Sequence, residues 1–124
     1  MEKSKPVPSV ANLPAKESTS FEEFQKMDIR VATILEAEVV PKANKLLKLK
    51  VDTGIDQRTI VSGVAEHYAP AQLIGKKAMV LVNLPPRVIR GIESQGMLLF
   101  AEDAAGKLTL VSPDNEAANG SKIA

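Results

Sequence analysis

From Asp28 to Val40 apolar and polar positions alternate, with Ile29, Val31, Leu35 and Val39 on one side and Arg30, Glu36 and Glu38 on the other. That period of two predicts a long, half-buried strand. Leu47, Leu49 and Val51 alternate with Lys48 and Lys50 in the same way, and after a Thr53-Gly54 turn the run Arg58 to Val61 predicts a third strand, ended by Ser62-Gly63. Ala71 to Ile74 predicts one helical turn stopped by Gly75. Ala78 to Leu84, Met97 to Ala101 and Leu108 to Val111 read as further strands between Pro and Gly signals. Ahead of them, Ser20-Phe-Glu-Glu23 has the spacing of a capping box, and Phe21 and Phe24 share the face that would dock a short helix on the body.

Five or more short strands, one small helical insertion and no long helix predict an all-β chain: a five-stranded OB-fold barrel in preference to a sandwich, with a short N-terminal helix and extra C-terminal strands. Pro6, Pro8 and Pro14 sit among Lys, Ser and Ala without apolar periodicity, so residues 1–19 read as a flexible linker and 20–124 as the domain. Such a tract suggests that another segment precedes it. A chain of 124 residues is long enough for one domain with a real core. No solenoid-period repeat is present. The sequence has no Cys, hence no disulfide framework, thiolate nucleophile or zinc-finger spacing, and a reducing, cytoplasmic setting fits. No secretory signal and no apolar run of membrane-spanning length can be read, so no membrane partner is expected.

Charge sharpens the picture. The formal net charge is only +1, but residues 41–90 carry nine Lys/Arg against three Asp/Glu, a block of +6 between a 1–40 segment of −2 and a 91–124 segment of −3. Lys42, Lys45, Lys48, Lys50, Arg58, Lys76, Lys77, Arg87 and Arg90 could form one face for a polyanion, or a solvated mixed-charge surface. Pro85 and Pro86 deny a ladder two donors, which is expected to hold Arg87 and Arg90 outward in a loop. Gly91 and Gly96 bracket Ser94 where backbone could approach a phosphate or ribose. Met97 reads either as core or as a small apolar surface for a base. Tyr68 is the one plausible stacking ring if Phe21, Phe24 and Phe100 are occupied by packing.

Catalytic signals are weak. His67 is the single His, without a Cys or second His to share a metal, so no cofactor or metal site is expected. Gly91-Ile-Glu-Ser-Gln-Gly96 has one residue too many for a nucleophile elbow, and no Walker loop or dinucleotide fingerprint is present. The chain does not read as an enzyme.

Asp28-Ile-Arg-Val-Ala32, Ala43-Asn-Lys-Leu-Leu-Lys-Leu49, Val61-Ser-Gly63, Asn83-Leu-Pro-Pro-Arg87 and Gly91-Ile-Glu-Ser-Gln-Gly-Met97 together resemble the tRNA-binding domain appended to the C-terminus of many bacterial methionyl-tRNA synthetases. The resemblance runs from about residue 21 to the end. It implies an OB-fold with extra C-terminal elements, usually homodimeric, that recognises the general shape of tRNA. It also implies RNA-binding roles for Lys45, Asn83, Ser94 and Met97. Asn44 departs from the acid that members commonly carry before that Lys. Arg87 and Arg90 join the site on charge, with Lys48, Lys50 and Arg58 as weaker candidates. The expected partners are tRNA, a tethered synthetase catalytic body and a second copy of the chain, paired through the exposed edge of a lone Leu108–Val111 strand. A free-standing dimeric tRNA-binding or chaperone-like protein, or a mainly structural dimerisation module, is the alternative.

Overall fold

A computed structural model describes residues 13–124. Of the linker expected over 1–19, residues 1–12 lie outside the described residues, and 13–19 are exposed and without helix or strand. Helix α1 (Phe21–Gln25) is capped by Ser20, whose Oγ accepts from the Glu23 amide at 3.0 Å. Only that half of the capping box forms: the Glu23 carboxylate pairs instead with Lys26 at 3.3 Å.

Nine strands follow: β1 (Ile29–Val39), β2 (Leu47–Asp52), β3 (Gln57–Ser62), β4 (Lys77–Leu81), β5 (Arg87–Ile89), β6 (Ile92–Ser94), β7 (Met97–Leu98), β8 (Phe100–Glu102) and β9 (Leu108–Leu110), with helix α2 (Pro70–Leu73) between β3 and β4. Five of them form an antiparallel sheet in the order β3-β2-β1-β4-β7. The sheet curls until its two edges meet. There the Gln95 amide donates to the Thr59 carbonyl at 2.9 Å and the Val61 amide donates to Ser94 Oγ at 3.0 Å. This nearly closed five-stranded barrel is the expected OB-fold.

Its core is a cluster of aliphatic side chains, including Ile34, Leu47, Leu49, Val51, Ile60, Val80 and Leu98, with Leu73 of α2 contributing to it. The alternation expected for β1 changes phase within the strand. Leu35 is the extra residue of a β-bulge between the Ile34–Val51 and Glu36–Lys50 pairs: before it Ala32 and Ile34 point into the core, and after it Ala37 and Val39 stand opposite Leu49 and Leu47, while Leu35 and Val39 are exposed. A bulge inverts a period-two pattern at the residue it adds.

Two further expectations are corrected. Leu108–Val111 is not a lone strand: β9 pairs with β8, and its other edge donates from the Leu110 amide to Tyr68 Oη at 2.9 Å and from the Leu108 amide to His67 Nδ1 at 3.4 Å. Nor do the rings of α1 bury themselves. Phe21 is 71% exposed and the helix has no buried residue. What joins α1 to the barrel is Asn83, whose Oδ1 accepts from the Asp28 amide at 2.9 Å and whose Nδ2 donates to the Lys26 carbonyl at 2.7 Å.

The C-terminal segment completes the sheet beside β1. Val31 exchanges backbone hydrogen bonds with Gly120 and Ser121, and the Ile123 amide donates to the Ile29 carbonyl. Asn119 Oδ1 accepts from Thr33 Oγ1 and from Lys77 Nζ, both at 2.8 Å, which latches the segment across β1 and β4.

Gly96 was expected to leave room for a ligand, but it leaves room for β4. Its φ is +127°, and a Cβ there would stand 2.8 Å from the Leu81 carbonyl oxygen. Gly96→Ala should therefore combine backbone strain with a backbone clash and cost about 2 kcal/mol or more. A drop in melting temperature of roughly 8 °C or more is expected by differential scanning calorimetry, and an unchanged melt would refute the close approach.

Candidate nucleic-acid interface

Small five-stranded barrels of this kind bind oligonucleotides through the face of their second and third strands and through the loops after the first and fourth. In this chain those loops are residues 40–46, between β1 and β2, and residues 82–96, between β4 and β7. The second is longer because it contains the β5–β6 hairpin, with Arg87 opposite Ser94 and Val88 opposite Glu93. Arg87 was expected in an open loop; it stands in this two-stranded ladder, still exposed. The hairpin turns at Arg90 and Gly91, with φ of +52° and +79°, the left-handed pair that a tight two-residue hairpin turn needs. Gly91 thus serves the turn, and Arg90 accepts a conformation that costs a residue with a Cβ some strain.

The turn carries Arg90 to the other loop. Lys42, Ala43, Asn44, Lys45, Leu46 and Arg90 line one open depression, so three exposed cations meet where the hairpin tip approaches the β1–β2 loop. That loop is fixed from below, because the Lys45 carbonyl accepts from the Ala65 amide at 3.1 Å. The Lys45 side chain stays in solvent while its backbone is held.

On the other side of the hairpin lies a cleft of about 500 Å³. Val61, Val64 and Leu98 are its buried lining, Leu84, Pro85, Arg87 and Ile89 contribute from the 82–96 loop, and Phe100 and Leu108 from the β8–β9 hairpin. Met97 is 47% exposed and lines the cleft, so it is surface and not core. Ser94 is 4% exposed and also lines it; its Oγ accepts from the Val61 amide and its own O–H remains a donor.

The remaining candidates have structural occupations. Arg58 is 18% exposed in its side chain; its Nε donates to Asp56 at 2.9 Å and its guanidinium also donates to the Val82 and Gln95 carbonyls. Arg58 ties β3 to both ends of the 82–96 loop. The pairing lowers the Asp56 pKa, first through the Arg58 hydrogen bond and then through Thr53, against the opposing effect of desolvation. Lys48 and Lys50 face Glu38 and Glu36 across the β1–β2 ladder, which offsets their field locally. Asn83 is exposed but has both ends of its amide engaged in the α1 junction. Lys77 is bonded to Asn119. Tyr68 is no free stacking platform: its ring packs on Phe100 at 6.1 Å and its hydroxyl holds β9.

The structure therefore gathers Lys45 and Arg90 on one side of the hairpin and Arg87, Ser94 and Met97 on the other. Arg58, Lys48 and Lys50 line neither the depression nor the cleft. Leu84 is the wall residue that pattern reading passed over; an apolar side chain directly before two prolines was its one signal. Among the described residues no cluster of His, Cys, Asp or Glu could hold a metal, and no helix is long and apolar enough to cross a membrane.

The family model of the tRNA binding domain matches residues 29–122. A methionine–tRNA ligase of Flavobacterium johnsoniae is 61% identical over 110 residues, which are 89% of this chain and 16% of that protein. One from Porphyromonas gingivalis W83 is 54% identical over the same length, again 89% of this chain and 16% of that protein. Among solved structures, a MetRS-related protein from Pyrococcus horikoshii superposes with a TM-score of 0.83 at 40% identity, covering 87% of this chain and 99% of that one. The chaperone CsaA of Bacillus anthracis gives 0.80 at 30% identity, covering 87% and 100%.

The Arg58 pairing fixes the sign of a pH effect. A carboxylate whose pKa is depressed in the folded state adds stability above its unfolded value, near 3.8 for Asp56, and loses it as pH falls through the folded value. Arg58→Ala should be destabilised relative to the parent chain at pH 6, and the gap should narrow, without vanishing, below pH ~3. Urea unfolding at the two pH values measures it; a gap that widens in acid would contradict the pairing.

Proposed function

The chain belongs to the tRNA-binding domain family, and from that premise we propose that it serves as a tRNA-binding module appended to the catalytic body of a methionine–tRNA ligase, raising that body's affinity for tRNA. The region it matches in those ligases is their non-catalytic, C-terminal part, 16% of their length. The observation that carries the reading is the meeting of Lys42, Lys45 and Arg90 in one open depression between the two oligonucleotide-binding loops of the barrel. Three guanidinium and ammonium groups on a held backbone can each neutralise a phosphate, and they read backbone shape without reading bases. Arg87 extends the cationic rim, while Ser94 and Met97 supply a donor and an apolar contact. Asn83 takes part by holding the 82–96 loop against α1, and Lys48, Lys50 and Arg58 are secondary.

A linker over residues 1–19 would let the module keep tRNA at high effective concentration near a tethered cytoplasmic ligase. Self-association belongs to the same reading, through a surface other than the one expected from β9. Phe21, Phe24, Met27, Ile29 and Ile123 line an apolar groove between α1 and the C-terminal segment. Phe21 and Met27 are exposed there, as an isologous pairing of two copies would use them. The CsaA likeness favours the free-standing chaperone-like alternative, which predicts affinity for unfolded polypeptide in place of tRNA.

Binding of unfractionated tRNA should weaken steeply with salt, and Lys45→Ala and Arg90→Ala should each reduce the slope of log K against log[salt] by about 0.7–0.9 with little change in the melting temperature. Filter binding from 50 to 200 mM salt tests this; no binding at low salt would refute the reading. In sedimentation equilibrium the chain should run at twice its mass, and Phe21→Ser with Met27→Ser should return it to a monomer that still binds tRNA. A parent chain that sediments as a monomer at high concentration would remove the dimer.

A further inference from the structure

The cationic depression accounts for a polyanion's backbone, and Ser94 and Met97 give the apolar cleft beside the hairpin a donor and an apolar contact, but what the cleft as a whole takes up is a separate question. Met97 and Leu84 are half exposed beside buried Val61, Val64 and Leu98, so the cleft is apolar from mouth to floor. Its volume of about 500 Å³ falls in the range of small-ligand sites, roughly 300–1,000 Å³, which are likewise mostly apolar with a few placed polar groups. Here the polar groups are the Ser62 and Ser94 hydroxyls on the lining and the Arg87 guanidinium.

We propose that this cleft takes a single unstacked nucleobase of the bound RNA, with Arg87 on its phosphate; the inference rests on the tRNA-binding reading and specifies what part of the RNA it recognises. Charge complementarity selects this occupant. Ile89 lines the cleft and Arg90 the cationic depression, so the two sites adjoin across one peptide unit, about 3.8 Å between Cα atoms. On this proposal a backbone lying on Lys45 and Arg90 continues around the hairpin tip toward the cleft. Its paired bases are stacked and show only their edges, whereas an unpaired base can turn its apolar face onto Met97 and Leu84. Methionine makes favourable sulfur–aromatic contacts and adapts its shape, which lets one pocket accept any of the four bases. Ser94 then donates to a base acceptor without needing a particular one. The module would thus distinguish folded RNA with extruded bases from continuous duplex, with little preference for base identity.

The test compares two RNA hairpins of equal length and charge, one fully paired and one with a single bulged 2-aminopurine, titrated with the full chain at fixed salt. The bulged RNA should bind about tenfold more tightly, the scale of one stacked base, and the 2-aminopurine fluorescence should change on binding. Leu84→Ser should abolish that advantage while leaving the paired hairpin's affinity and the salt slope unchanged, and Met97→Ser should abolish the advantage as well. Equal affinity of the parent chain for both RNAs overturns the proposal, as does a loss that falls equally on both in the two variants. Displacement of the 2-aminopurine signal by an uncharged apolar decapeptide, with the RNA still bound, would assign the cleft to polypeptide and overturn it too. Failure to bind tRNA or either hairpin would instead bring down the tRNA reading itself.

Discussion

The barrel depends on a seam that no β-ladder closes. Where β3 meets the segment leading into β7, the hydrogen bonds are one backbone bond from Gln95 to Thr59, a long one back from the Thr59 amide to Gln95 Oε1, one from the Val61 amide to the Ser94 hydroxyl, and the Arg58 guanidinium bridging the Val82 and Gln95 carbonyls. Buried amides and carbonyls left unpaired there would each cost about 1–3 kcal/mol, more than a made bond returns. Ser94, Gln95 and Gly96 are therefore selected together: Ser94 for an oxygen that reaches Val61, Gly96 for the absence of a Cβ against Leu81. Losing any of these contacts would weaken the barrel at the edge on which the 82–96 loop rests.

The candidate site follows from that seam. Because Ser94 and Gln95 are tied to β3, β6 lies along β3 and carries β5 with it, so the position of the hairpin tip is set from its base. Arg90 reaches Lys42 and Lys45 because of a turn at one end and a seam at the other. The division of labour among the cations has the same origin. Arg58, within the seam, has its donors engaged and little exposure, while Lys45, Arg87 and Arg90 project from held backbones into water. A charge can serve a polyanion only where the fold has not already used it.

Much of this was legible in the sequence, for physical reasons that can be named. Leu47, Leu49 and Val51 alternate cleanly because β2 is central and regular, and the Pro and Gly signals fall where strands stop. The errors are places where a side chain outweighs a pattern. A bulge at Leu35 inverts β1, and only its partner strand reveals it. Pro85 and Pro86 argued against a ladder, yet the hairpin starts at the next residue, since proline restrains its own amide and not its neighbour's. Asn83 entered as an RNA ligand through the resemblance; its hydrogen bonds run to Lys26 and Asp28, a separation in sequence that no local reading detects. Phe21 and Phe24 carried the spacing of a docking face, and the face is there without a barrel surface to receive it.

That unreceived face stands far from the cationic loops. The groove formed by α1 and the C-terminal segment lies at the Ile29 end of β1, and the Lys42–Lys45 loop follows its Val39 end. An 11-residue strand separates those ends by roughly 30 Å. The lining residues of the groove and of the cationic depression do not overlap. Pairing two copies through the groove would leave both cationic loops in solvent, and the Asn119 latch to Thr33 and Lys77 would hold the groove's C-terminal wall in place whether or not RNA is bound. β1 thus spaces the two surfaces apart, so that, were two copies to pair through the groove, a long polyanionic partner could span both without either surface competing for it.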